Sequence, residues 1–200
     1  QTALVGFEDR LADLDLQPDL IIFPCRHEAK AALPWFGGHF TGILEEGKSH
    51  LSTAAPAGLS SFLHNIASIA SQLMPGFIVS AEATHHGPVD VKTPSFFAEI
   101  GSTKEQWVDL NAGEAVARAI LALNLEDLPI FLGFGGGHYV QRQTELIFNS
   151  RIAFGHMFSS YQVPDLDRDA VDDAWKKSNA SYAYVDLKSL RSEEKKRIGG

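Results

Sequence analysis

Short, uninterrupted apolar runs too brief to be helices constrain this chain more than any other feature. Leu20-Ile21-Ile22-Phe23 closes on Pro24, Phe77-Ile78-Val79 leads into Glu82-Ala83-Thr84-His85-His86-Gly87-Pro88, and Pro129-Ile130-Phe131-Leu132 ends in Gly133-Phe134-Gly135-Gly136-Gly137-His138-Tyr139. Runs of this kind are what strands buried on both faces need. Ser95-Phe96-Phe97-Ala98-Glu99-Ile100 reads as a further strand. Between the runs lie helical patterns. Leu59, Phe62, Leu63, Ile66, Ile69, Ala70 and Leu73 recur at three and four, and Met74-Pro75-Gly76 stops that helix. Ser102 and Glu105 have capping-box spacing, which predicts a helix through Trp107, Leu110, Val116, Ile120 and Leu121 to about Leu123, with Gly113 its weak point. Further on, 144–149 reads as a helix, 151–155 as a short strand, 167–177 as a charged helix, 182–187 as a last strand and 189–197 as a last helix. Residues 33–58, rich in Gly, Pro and His, read as a long functional loop. Alternating strands and helices predict an α/β fold with a mostly parallel sheet and helices on both faces, in one domain over 1–200.

Composition narrows the function classes. The chain is 44% hydrophobic and 21% charged, with no apolar run near the ~20 residues of a membrane-spanning helix. The one cysteine, Cys25, excludes an intrachain disulfide and a cysteine-rich zinc finger; it reads as a small buried residue ending a strand and fits a reducing, cytoplasmic setting. The net charge of −8 argues against general nucleic-acid binding. It is unevenly spread: Arg142, Arg151, Lys176, Lys177, Lys188, Arg191, Lys195, Lys196 and Arg197 all fall late in the chain, where a basic surface would form. The start at Gln1 and the end at Gly200 read as those of a piece of a longer protein.

Ligand and catalytic sites in open α/β sheets collect at the carboxyl ends of strands. Five of the eight histidines (His27, His85, His86, His138 and His156) directly follow or end predicted strands, with Glu82 and Glu99 beside them. Imidazoles and carboxylates are the ligands of catalytic Zn²⁺. Because neighbours in an extended chain point opposite ways, one of His85 and His86 should face the site, unless the Gly87-Pro88 turn brings both inward. Glu82 and Glu99 compete for the roles of ligand and general base. The 133–137 run matches neither the phosphate-loop nor the dinucleotide pattern, and its glycines Gly135, Gly136 and Gly137 offer unhindered N–H groups suited to an oxyanion hole or a tight wall against substrate. Thr84, Ser52 and Thr53 are hydroxyls near the rim, and Trp35 and Tyr139 are aromatic enough to stack on a base.

Several of these motifs occur in a fixed order. The 82–88 segment, Phe97-Ala98-Glu99-Ile100-Gly101-Ser102-Thr103 with Trp107, the 133–139 segment with Arg142, and Gly155-His156 together resemble the archaeal- and plant-type D-aminoacyl-tRNA deacylase family. Arg26-His27, His39-Phe40-Thr41-Gly42 and Leu51-Ser52-Thr53-Ala54 resemble its earlier motifs, so the likeness spans about 20–160. Val140-Gln141 stand where the family has Ala-Pro, and the family's additional amino-terminal strand and helix are absent. The resemblance implies a three-layer α/β/α sandwich of the phosphorylase/peptidyl-tRNA-hydrolase kind and a Zn²⁺-dependent esterase acting on D-aminoacyl-tRNA. On that reading the metal ligands come from His27, His85, His86, Glu99, His138 and His156. Glu82, His86, Glu99 and His138 are catalytic. Thr84, Gly135, Gly136, Gly137, Tyr139 and Arg142 contact substrate; the oligomeric state is left open by the sequence, a monomer being the simplest expectation. A zinc amidohydrolase or peptidase on small substrates, and a non-catalytic tRNA-binding module, are the alternatives.

Overall fold

The structure is a computed structural model that describes residue 4, residues 6–45 and residues 48–199. In chain order it contains α1 (Phe7–Asp13), β1 (Ile21–Arg26), β2 (Trp35–His39), β3 (Gly42–Glu45), β4 (Lys48–Leu51), α2 (Pro56–Leu73), β5 (Ile78–Ala81), β6 (Ser95–Gly101), α3 (Lys104–Trp107), α4 (Leu110–Leu121), β7 (Ile130–Phe134), α5 (Gln141–Asn149), β8 (Ala153–Phe158), α6 (Arg168–Ser178), β9 (Tyr182–Val185) and α7 (Ser192–Gly199). No helix among the described residues is long and apolar enough to cross a membrane.

The strands form a sheet ordered β1-β6-β2-β5, a second ordered β8-β7-β9, and a β3-β4 hairpin. Pairing is parallel throughout the two larger sheets except between β2 and β6. Backbone bonds just beyond β5 join the two sheets: the Thr84 N–H donates to Met157 O at 2.7 Å. The apolar face of α2, including Leu59, Phe62, Leu63 and Ile66, is buried against Phe36, Phe96 and Ala98, with Ala112, Ala115 and Ala119 of α4 in the same core. On the opposite side α1 meets the sheet through Phe7 on Phe23, and α6 buries Ala170 and Ala174 beside Leu132 and Phe158. Fully burying each large side chain contributes about 1.5–3 kcal/mol, so these layers hold the molecule together.

Strand alternation delivers the site. On β6, Phe96 and Ala98 enter the α2 core, whereas Phe97 packs with Ile21 and Phe23 on the other face. Glu99 shares that second face, and so does His39 of β2, whose ring lies 5.1 Å from that of Phe97.

Two expectations change here. Residues 33–58 hold three strands and the start of α2 rather than a long loop. The glycines of Trp35-Phe36-Gly37-Gly38-His39 disguise a central strand, and they are there for close approach: a Cβ at Gly37 would collide with the Ser80 carbonyl and the Trp35 ring, and one at Gly38 with the Phe97 carbonyl. Gly37→Ala should therefore destabilise by about 1–3 kcal/mol through overpacking, readable as a lower melting temperature. The predicted helix over 102–123 is in fact two, because the Asp109 carboxylate accepts from the Asn111 N–H at 2.8 Å and caps α4 afresh. The cap of α3 lies one residue later than expected, with Gln106 Oε1 accepting from the Thr103 N–H at 2.9 Å. Ser102 instead donates its hydroxyl to Leu33 O at 2.8 Å.

Candidate active site

Four separate segments meet on the Glu99 face. His27, just past β1, is held on all sides: its N–H donates to Ile100 O, the Trp107 Nε1–H donates to its carbonyl, and its Nε2 lies 3.0 Å from the Tyr139 hydroxyl. Its Nδ1 is thereby aimed between two buried carboxylates, 3.4 Å from Glu82 Oε1 and 3.4 Å from Glu99 Oε2. Burial works against a charge on this ring, but the bond to Glu99 and the field of both carboxylates outweigh it and raise the His27 pKa. Burial likewise opposes ionisation of Glu99, yet His27 and His39 more than offset it and hold the carboxyl at about 2. Glu82 follows β5, fully buried, with its backbone N–H on Gly38 O. Neither of its oxygens receives a hydrogen bond, although His138 Nε2 stands 2.8 Å from Oε1. A buried carboxylate without an aligned hydrogen bond is costly, and its position suits a cation.

Beside these carboxylates His39, His85 and His86 pack ring to ring, with centroids 4.0 Å apart for His39–His85, 4.7 Å for His39–His86 and 4.5 Å for His85–His86. Each turns Nδ1 toward a backbone carbonyl: Phe40 O at 3.1 Å, Ala83 O at 2.8 Å and Gly87 O at 2.6 Å. A carbonyl only accepts, so each Nδ1 is a donor, and Nε2 is the ring atom left over for any other partner. Metal-binding histidines are oriented in this way. The Nε2 of His39 is buried and has no hydrogen-bond partner. Burial first, then the neighbouring His39, push the His85 pKa down to about 2, and the same two causes lower that of His86. His86 adopts φ 42°, so the turn at Gly87-Pro88 does bring both adjacent histidines inward. Among the described residues, three groups have ligand atoms within 4.8 Å of one another: His39 with His85 and His86, Glu82 with His85 and His138, and His27 with Glu82 and Glu99.

His39 was absent from the ligand set expected from the sequence, and His156 does not belong in it. His156 is fully buried with both nitrogens committed, Nε2 to Ser52 O at 3.0 Å and Nδ1 to the Thr84 hydroxyl at 3.0 Å. No lone pair remains for an ion. Thr84 is likewise structural rather than substrate-binding: its hydroxyl also accepts from the Met157 N–H, and its carbonyl accepts from Gln162 Nε2 at 2.7 Å. Burial lowers the His156 pKa to about 4. In the unfolded chain this ring takes a proton near its ordinary 6.5, so its contribution to stability is present above that pH and lost as pH falls toward 4. His156→Ala should cost about 1–3 kcal/mol for each partner left unsatisfied, and its stability should vary less between pH 6.5 and 4, as thermal melts across that window would read.

The glycine run plays a different part from the one expected. The Gly135 N–H donates to Phe158 O at 2.8 Å and the Gly136 N–H to Ser189 Oγ at 2.6 Å, so neither is free for an oxyanion. Gly135, at φ +91°, is walled by Ser189 and Asp186. Its side faces a packed turn and not the site. Gly137 is exposed. Arg142, on α5, is exposed and paired with Glu145 at 2.7 Å. Trp35 is buried against His27, with Nε1–H donating to Ser80 Oγ, and is packing rather than a stacking platform. Cys25 is exposed, not buried. Of the late basic residues, Arg151 pairs with Glu126, Lys177 with Asp173 and Arg191 with Glu194. The side chains of Lys196 and Arg197 lie outside the described residues.

Comparison with known proteins bears directly on this arrangement. A family model described as D-aminoacyl-tRNA deacylase matches residues 14–200. A protein of Methanothrix thermoacetophila named D-aminoacyl-tRNA deacylase is 52% identical over 199 residues, which cover 98% of this chain and 73% of the relative. One of the same name from Methanosarcina mazei is 40% identical, covering 96% of this chain and 67% of the relative. Another, from Methanococcoides burtonii, is 42% identical, covering 96% of this chain and 41% of the relative. A crystal structure of a conserved protein of unknown function superposes with a TM-score of 0.90 at 34% identity, covering 97% of this chain and 71% of that one. The α/β layers, the order of the site segments and these matches agree: the chain belongs to the D-aminoacyl-tRNA deacylase family.

Proposed function

We propose that the chain hydrolyses the ester joining a D-amino acid to the terminal ribose of tRNA, with Zn²⁺ held in the histidine cluster. The reading rests above all on one observation: the carboxylate of Glu82, which receives no aligned hydrogen bond, lies buried among histidine nitrogens close enough together to share an ion. Imidazole and carboxylate donors suit Zn²⁺. The orphaned Nε2 of His39 is the detail that best fits an ion. His39, His85 and His86 would hold it, with Glu99 kept ionised beside them and His27, Glu82 and His138 close by. When bound, Zn²⁺ supplies Lewis acidity toward the ester carbonyl and toward water.

The protein's own groups do the rest. Glu82 takes a proton from the attacking water as its oxygen bonds to the carbonyl carbon. His138, half-exposed and bridged to Glu82 Oε1 on one side and to the Tyr161 hydroxyl at 3.3 Å on the other, passes a proton to the ribose oxygen as the C–O bond breaks. His27, clamped by Trp35, Trp107 and Tyr139, keeps the two carboxylates apart and oriented. The test is release of amino acid from D- and L-charged tRNA, with and without a chelator. The proposal requires fast release from the D form and loss of activity on chelation. Equal rates on both enantiomers would remove the specificity, and full activity after exhaustive chelation would remove the metal.

A hydrolase of small substrates is the second reading, favoured by the −8 charge and by the acidic partners of Arg142, Arg151, Lys177 and Arg191. Inhibition by uncharged tRNA separates the two.

A further inference from the structure

Behind His27, on the side away from the carboxylates, lies a cavity of about 180 Å³ walled by Ala29, Ala31, Leu33, Trp35, Ile78 and Tyr139. We propose that it receives the side chain of the aminoacyl group and that it favours bulky apolar D-amino acids; this rests on the deacylase reading above. Position comes first. Trp35 and Tyr139 both touch His27, with ring centroids 4.5 and 5.8 Å away, and Tyr139 also meets His138 at 5.3 Å. The cavity is thus one ring's width from the Glu82–Glu99 pair. The side chain of an ester under attack there starts two bonds from the reacting carbon and would enter past the half-buried Tyr139, which borders both His138 and the cavity.

The chemistry of the walls selects the occupant. Most of the polar groups on the walls are engaged elsewhere, the exposed Gln141 amide at the rim being the exception. The Trp35 Nε1–H is on Ser80 Oγ at 2.8 Å, the Ser102 hydroxyl is on Leu33 O at 2.8 Å, and the Tyr139 hydroxyl is on His27. What remains is an aliphatic and aromatic surface, which suits an apolar side chain better than adenine. The Ala29–Leu33 wall belongs to the exposed connection between β1 and β2, pinned by that Ser102 bond. Gly135 and Gly136 are occupied by their own packing, and this cavity offers the apolar wall that they do not.

Ala31 is exposed and carries none of the site's contacts, so Ala31→Phe fills the cavity without disturbing the core. The expected result is a fall of about tenfold or more in kcat/KM for D-tyrosyl-tRNA relative to D-alanyl-tRNA, the scale on which apolar pockets discriminate. Leu33→Ala, at a residue 53% exposed, removes a wall and should also weaken D-tyrosyl over D-alanyl substrate. Binding of non-hydrolysable 3′-amide analogues of D-tyrosyl- and D-alanyl-adenosine gives a readout independent of turnover. Selective loss of the D-tyrosyl analogue upholds the pocket even if no ester is cleaved, a failure that would fall on the deacylase chemistry alone. Equal loss of both analogues and of free adenosine would place the base in the cavity and overturn the proposal, as would an unchanged ratio in both variants.

Discussion

Glu82→Gln is expected to lower kcat on D-aminoacyl-tRNA by about 10²–10⁴-fold, the usual contribution of a positioned general base, with KM and bound metal little changed. Glutamine keeps the shape and one oxygen of the side chain but cannot accept the proton of water. The substitution should also leave stability unchanged or raise it. Glu82 is fully buried with only histidine nitrogens near it and no aligned hydrogen bond to either oxygen, and replacing such a charge with a neutral isostere removes a desolvation penalty. Loss of rate together with a melting temperature equal to or above that of the parent protein is the pattern of a residue kept for function at a cost in stability. Steady-state kinetics, metal analysis and a thermal melt on the same preparation check it. A kcat within tenfold of the parent would take the base role from Glu82 and leave Glu99 to be tried, although a carboxyl held at about 2 is a weak proton acceptor.

Much of this site was legible in the sequence because strands have a period of two and sites gather at strand ends. Glu99, His27, His85, His86 and His138 follow from that rule, and the structure draws them together. His156 obeys the same rule and still lies outside the cluster, since position along a strand does not reveal which nitrogens a ring has already committed. His39 shows the converse. Its motif was visible, but Gly37 and Gly38 made a central strand look like a loop, and only the close approach of Ser80 and Phe97 explains those glycines. The glycines at 135 and 136 carried the opposite ambiguity: small residues permit either a ligand or a neighbouring turn to approach, and here it is the turn at Asp186–Ser189. The break between α3 and α4 was within reach of sequence reasoning, because Asp109 directly before Leu110 is an N-cap signal as strong as the capping box that was followed.

His39→Ala follows from the same ring geometry, and its effect should rival that of Glu82→Gln. Three imidazoles in mutual contact can stay together only if they do not all carry protons, and the low pKa of His85, about 2, reflects its burial first and His39 next. The arrangement therefore keeps the His85 lone pair available at any pH near neutrality. With each Nδ1 fixed by a carbonyl, the inward Nε2 atoms are oriented before any ion arrives. On the zinc reading, removing His39 takes away one proposed ligand, and with it one wall against Glu99, 3.7 Å from its Nε2. Loss of a mere supporting partner already costs 10–100-fold in affinity or activity, so loss of a ligand should lower activity by about 10²-fold or more at limiting zinc, with partial recovery in excess zinc. His156→Ala supplies the contrast, since it should lower the melting temperature while zinc stoichiometry holds. Should His39→Ala keep full zinc content and full activity, while chelation still silenced the parent protein, the ion would have to be assigned to the Glu82–His85–His138 or His27–Glu82–Glu99 group instead.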